Sequence, residues 1–101
     1  MAPQNAFQTL LGLETLSLRM KRHVSNSIKI ANWLEKHPKI EKVTYAGLKS
    51  SQYFNTAKLI LPKGAGALFT ISLKDGYEAC MKMINKINLF SHVSNLGDTR
   101  S

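Results

Sequence analysis

Ala67-Leu68-Phe69-Thr70-Ile71-Ser72-Leu73 alternates in character. In an extended chain Ala67, Phe69, Ile71 and Leu73 face one way and Leu68, Thr70 and Ser72 the other, the pattern of a strand with one face more buried. Lys74-Asp75-Gly76 then turns the chain. Residues 77–88 are expected to be helical, with Cys80, Met83, Ile84 and Ile87 on the apolar side. Residues 89–93 read as a last short strand leading into Ser94-Asn95-Leu96-Gly97-Asp98. Upstream, Lys42-Val43-Thr44-Tyr45-Ala46 reads as a strand closed by Gly47. Ser51 has the character of an N-cap for a helix to about residue 61, with Tyr53, Ala57 and Ile60 inward and Pro62 as the stop. The order α-β-α-β-α-β predicts a small sheet with helices on one face, a two-layer α/β (α+β) architecture.

The first α element is long. Pro3 suits a first helical turn, and nothing from Gln4 to about Lys36 breaks a helix until His37-Pro38. Leu13, Leu16, Met20, Val24, Ser27, Ala31 and Leu34 form one stripe. Phe7, Leu11 and Leu18 form a second on roughly the opposite side of the first half. A helix apolar on two sides in one half is expected to lie between two bodies there and to run along one body afterwards. Residues 1–37 are therefore expected to be an interdomain helix, and residues 38–101 part of a small domain. This length supplies one such body, so the other is expected from elsewhere.

With 44% apolar and 20% charged residues, the composition is that of an ordinary globular domain and excludes disorder. No apolar run approaches the roughly 20 residues of a membrane-spanning helix, and Met1-Ala2-Pro3-Gln4-Asn5 has no signal-peptide pattern. Cys80 is the single cysteine, so an internal disulfide is excluded and a reducing, cytoplasmic setting fits. Its place on an apolar stripe reads as a packed thiol rather than a nucleophile. The net charge is +8. The lysines are scattered, Arg19-Met20-Lys21-Arg22-His23 is the one cluster, and no RNA-binding strand, zinc-finger spacing or helix-turn-helix pattern accompanies them. Nucleic-acid binding is not expected; an acidic remainder of a longer protein would balance this charge.

Little in the chain carries chemistry by itself. Lys63-Gly64-Ala65-Gly66 lacks the rest of a phosphate-binding loop and precedes a strand, so a turn is expected. His23, His37 and His92 have no zinc-site spacing; His23 and His37 read as solvated helix residues, and His92 as either core or pocket. No nucleophile elbow is present. Glu14 and Glu35 lie too far apart along the helix for an acid/base pair. No catalytic residue and no metal ligand is assigned. Asn95-Leu96-Gly97-Asp98 reads either as a pocket loop with an amide and a carboxylate or as a simple turn.

Several stretches match one enzyme family in register. They are Asn5-Ala6-Phe7, Gly12-Leu13-Glu14-Thr15-Leu16-Ser17-Leu18-Arg19-Met20 and Arg22-His23; Leu34-Glu35-Lys36-His37-Pro38; Tyr45-Ala46-Gly47-Leu48; and Leu61-Pro62-Lys63-Gly64-Ala65-Gly66. Leu89-Phe90-Ser91-His92 and Asn95-Leu96-Gly97-Asp98-Thr99-Arg100-Ser101 complete the set. The chain resembles the Cys/Met-metabolism pyridoxal phosphate enzymes, beginning at the helix that enters their C-terminal domain. The last loop is similar to that of the O-acetylhomoserine sulfhydrylase branch, where many other members have Ser-Leu-Gly-Gly. The resemblance implies an incomplete C-terminal domain of a fold-type I pyridoxal phosphate enzyme, ending inside the substrate loop. It further implies that sulfide replaces the acetyl group of O-acetylhomoserine, giving homocysteine and acetate, as in methionine biosynthesis and transsulfuration.

On the same resemblance Asn95 helps hold the substrate α-carboxylate and Leu96 and Gly97 shape the loop. Phe7, Leu11, Glu14, Leu18 and Arg19 would contact the cofactor-binding domain. The family's Schiff-base lysine stands in a Ser-x-Thr-Lys context that no lysine here shares. Its phosphate ligands and the arginine for the substrate carboxylate belong to other parts of the enzyme. Ser94 stands where close relatives often carry alanine. The chain alone is therefore expected to be inactive, to hold no cofactor and to self-associate. The other expectations are a freestanding basic module that keeps the fold without the chemistry, and one chain of a split enzyme.

Overall fold

The computed structural model describes residues 1–94. Six elements follow in order: α1 (Pro3–Glu14), α2 (Leu16–Glu35), β1 (Ile40–Thr44), α3 (Phe54–Ile60), β2 (Thr70–Leu73) and α4 (Gly76–Lys86). β1 and β2 pair antiparallel, with Ile40 opposite Leu73, Val43 opposite Ile71 and Thr44 opposite Thr70. α2 packs on β1 and α4 on β2. Helices thus cover one face of a sheet that has two strands among the described residues.

The expected facing of residues 67–73 holds throughout: Ala67, Phe69, Ile71 and Leu73 are half-buried, and Leu68, Thr70 and Ser72 exposed. The ladder occupies only the second half of that stretch. β1 ends at Thr44, so among the described residues no strand stands opposite residues 67–69. The Ser27 hydroxyl instead donates to the Ala67 carbonyl (3.3 Å), and the Tyr45 hydroxyl to the Gly66 carbonyl (2.8 Å). These bonds hold residues 66–67 against α2 and the chain just after β1. Ala31, Tyr45 and Leu48 form the buried centre, flanked by Val43, Ala65 and Phe69. The Tyr45 and Phe69 rings meet tilted, 5.8 Å between centroids.

Other expectations need correction. The long first helix is interrupted at Thr15, whose φ of −100° and ψ of 1° leave the helical range. The Arg19 guanidinium donates to the Gly12 carbonyl (2.6 Å) and to the Thr15 hydroxyl (3.2 Å). It thereby takes a carbonyl that an unbroken helix directs to the N–H four residues on. The first strand is displaced upstream, beginning at Ile40. α3 begins at Phe54, because the Ser51 hydroxyl accepts from the Tyr53 N–H (3.3 Å) in a preceding turn instead of capping a helix. Tyr53 and Ile60 point outward; Phe54 and Ala57 are the half-buried positions. Ile87 lies past the end of α4 and is exposed, while Cys80, Met83 and Ile84 are half-buried as expected. Residues 89–93 form no strand: Leu89, Phe90 and Val93 are exposed and take no place in the ladder.

The Cα radius of gyration is 16.4 Å, with extents of 50 × 35 × 19 Å. A compact domain of this length would measure roughly 13 Å. The excess lies in α1 and the front of α2, which have no buried residue before Ser27.

Candidate functional site

The projecting helix is the largest unsatisfied feature of the molecule. Phe7 is 61% exposed and Leu18 70%, and Leu10, Leu11, Leu13, Leu16 and Met20 are exposed as well. A fully exposed side chain of this kind gains roughly 1.5–3 kcal/mol on burial, and these gain in proportion to the surface still exposed; contiguous exposed apolar surface marks an interaction site. Both stripes expected from the sequence are present in the first half. In the second half the inner stripe is covered, with Ser27 and Ala31 buried and Val24 and Leu34 half-buried.

The transition falls at Val24, where the turn at residues 62–66 reaches α2. Gly64 has φ +125°, and a Cβ there would press into the Val24 side chain, 3.0 Å from Cγ2 and 3.2 Å from Cβ. Only glycine permits both this backbone and this approach. The Leu61 carbonyl accepts from the Gly64 N–H (2.9 Å), closing the turn. The glycine-rich stretch is therefore a packing turn, as expected, and it leads to a strand rather than to a helix N-terminus.

Arg19 lies half-buried at the break, engaged with Gly12 and Thr15. Glu14, at the end of α1, is exposed. Phe7, Leu11, Leu18 and Glu14 thus share one projecting, accessible segment, on which Arg19 fixes the bend. Asn95, Leu96 and Gly97 lie outside the described residues. His92, which precedes them, is exposed.

A groove of about 670 Å³, not foreseen in the sequence, opens between the C-terminal end of α2, the Ile71/Leu73 face of the sheet and α4. Trp33 and His37 line one wall, their ring centroids 5.1 Å apart, and Met83 and Lys86 the other. His37 is half-buried instead of solvated; its Nδ1 accepts from the Lys39 N–H (3.3 Å), which fixes the chain as it leaves α2. The i, i+4 spacing of Trp33 and His37 was the available signal. On the other side of α2, the Ser50 hydroxyl donates to the Glu35 carboxylate. Among the described residues no three His, Cys, Asp or Glu side chains gather as a metal site. No described helix is long and apolar enough to cross a membrane. All the lysines of the chain fall within the described residues, and each is exposed.

The profile of the Cys/Met metabolism PLP-dependent enzymes matches residues 1–101. An O-acetyl-L-homoserine sulfhydrylase of Leptospira meyeri is 46% identical over 99% of this chain and 23% of its own length. An L-methionine gamma-lyase of Fusobacterium nucleatum is 40% identical over 100% of the chain and 25% of its own length. Among solved structures, a putative O-acetylhomoserine (thiol)-lyase of Campylobacter jejuni, which carries a pyridoxyl-lysine phosphate, superposes with a TM-score of 0.90. It is 40% identical and covers 99% of the chain and 24% of its own. The chain spans about a quarter of the length of the curated relatives it matches.

Proposed function

The chain belongs to the Cys/Met metabolism PLP-dependent enzyme family, and from that premise we propose that it forms the front of the C-terminal domain of an O-acetylhomoserine sulfhydrylase. The longer enzyme exchanges the acetyl group of O-acetylhomoserine for sulfide in the cytoplasm. The observation that carries this reading is the match over the whole chain to sulfhydrylases at 40–46% identity.

The residues in hand do not fit the cofactor. A Schiff-base lysine must be desolvated and aimed into a pocket, whereas every lysine here is exposed. A phosphate needs converging N–H donors, whereas the Gly64 turn is occupied by Val24. We therefore assign cofactor anchoring to residues beyond these 101, in the same polypeptide or in a second one. When bound there, pyridoxal phosphate supplies the electron sink for the reaction. This chain then contributes two things. Phe7, Leu11, Leu18 and Glu14, with the bend fixed by Arg19, seat the domain on the cofactor-carrying body; Asn95 helps hold the substrate α-carboxylate in a loop shaped by Leu96 and Gly97. Alone, the chain is inactive.

The test is purification of the tagged protein from its native host, with mass spectrometry of all chains and the absorbance of the eluate. Recovery of the Ser-x-Thr-Lys lysine, on this or a partner polypeptide, with bound pyridoxal phosphate is the expected result. A colourless product lacking that lysine would make this a freestanding module. Stoichiometric, borohydride-reducible attachment of the cofactor to one lysine of the 101-residue chain would refute the inactivity.

A further inference from the structure

Four of the six carboxylates lie away from the bare apolar surface at α3, while Glu14 stands on the projecting helix and Asp98 falls outside the described residues. Glu35, Glu41, Asp75 and Glu78 gather where α2 ends, β1 begins and β2 gives way to α4. The pairing of Ile40 with Leu73 and the bond from the Lys74 N–H to the Lys39 carbonyl (3.2 Å) bring these segments together. Residues 15–34 and 43–72 hold seven Lys and Arg residues and no carboxylate.

Those carboxylate-free segments carry a second exposed apolar surface. Leu59 is 83% exposed, and Ile60, Leu61 and Leu68 are exposed beside Lys58 and Lys63. Among the described residues α3 packs against no other helix or strand. Its end turns onto α2 through Gly64 and Val24. Met20 and Leu16 stand one and two helical turns before Val24 on the same face. The bare stripe of α2 thus runs directly into the turn at residues 61–64, and the two surfaces form one corner.

We propose that this corner is a docking surface for an acidic protein body, the cofactor-carrying part of the longer enzyme, which would thereby clasp α3 as well as the projecting helix. The inference rests on the preceding functional reading and adds to it the place and the charge of a second contact. Charge complementarity selects the occupant. A second copy docked symmetrically through this corner would bring another carboxylate-free basic face against it and be repelled. A nucleic-acid strand would leave the four aliphatic side chains without the base-stacking aromatics such sites use. An apolar centre rimmed by carboxylates satisfies both the leucines and the lysines.

The experiment places K58E/K63E, or K42E/K74E at the other end of the sheet, at the native locus and purifies the pyridoxal phosphate-holding protein. All four lysines are exposed, and circular dichroism of each variant checks the fold. The front pair is expected to lower the recovered cofactor-holding protein at least fivefold and the other pair less than twofold. Equal effects from the two pairs, with the unaltered locus giving normal yield, would overturn the inference alone. An unaltered locus that yields no cofactor-holding protein would overturn the functional reading and this inference with it. Pelleting of the full chain with phosphatidylserine vesicles, lost on K58E/K63E, would overturn it in favour of a membrane surface.

Discussion

Replacing Gly64 with alanine tests the contact at which this molecule passes from buried to bare. The backbone there has φ +125°, and the added methyl group would meet Val24 Cγ2 at 3.0 Å and Cβ at 3.2 Å, with Cγ1 closer still. A non-glycine residue held in such a conformation costs about 1–3 kcal/mol. Pushing a methyl group into filled space costs about 1–3 kcal/mol more, and the stiffer unfolded chain returns about 0.4–1 kcal/mol. The net destabilisation is about 1–6 kcal/mol, up to a large part of the roughly 5–15 kcal/mol available to a domain. Val24→Ala alone removes half-buried methyl groups and should cost about 1–2 kcal/mol. In the double variant the space it leaves accepts the new methyl while the backbone strain persists. Urea denaturation of the four proteins should therefore give a coupling energy of about 1–3 kcal/mol favouring the pair. Additivity within about 0.5 kcal/mol, or a neutral Gly64→Ala, would refute the claim that Val24 and the Gly64 turn define the edge of the core.

Two further perturbations separate the core from the bare helix. Tyr45→Phe should cost about 1–2 kcal/mol, because the Gly66 carbonyl loses its donor. Burial raises the Tyr45 hydroxyl above its ordinary pKa of 10.0, so the fold favours the neutral phenol. That contribution is complete below pH 10 and is lost as pH rises through the raised value. Urea midpoints from about pH 8 to about pH 11 should thus fall more steeply in the native protein than in Tyr45→Phe, and parallel curves would refute this. Leu11→Ser with Leu18→Ser should leave the stability of the chain within about 0.5 kcal/mol, since both side chains are already exposed. The same pair should reduce recovery of the assembled, cofactor-holding enzyme about tenfold or more, and unchanged recovery would remove these residues from the interface.

What could be read in the sequence was periodicity; what could not was reach. The facing of residues 67–73 follows from alternation alone, and the structure keeps it. The length of the strand does not, because it depends on where β1 ends, and the Ser27 and Tyr45 hydroxyls capture the carbonyls of Ala67 and Gly66 from distant positions. The helical character of residues 3–35 was likewise legible, whereas the break at Thr15 comes from one long side chain folding back to Gly12. Residues 89–93 have strand composition but no partner strand in the described residues, and composition cannot supply one. Phe7, Leu11 and Leu18 were legible as a second stripe because opposite-side spacing needs no tertiary information. The corner at α3 was not, since it exists only where Gly64 meets Val24. The roles given to Asn95, Leu96 and Gly97 come from motif resemblance, and no described geometry bears on them.

The folded chain's stability and its docking are then one linked quantity. Among the described residues Ala31, Tyr45 and Leu48 are the buried apolar side chains, while a longer series of large apolar side chains stands in water on α1, α2 and α3. A partner that binds only the folded form stabilises it by mass action, about 2.7 kcal/mol at one hundred times the dissociation constant. Interior and interface positions must therefore respond differently when the partner is present. Tyr45→Phe acts inside the chain and should cost the same free energy with or without the cofactor-carrying body. Leu11→Ser with Leu18→Ser should cost nothing until that body is added and then remove most of the stabilisation it confers. If both sets of substitutions respond to the partner equally, the helix and the core are a single cooperative unit, and the boundary at Val24 has no energetic meaning.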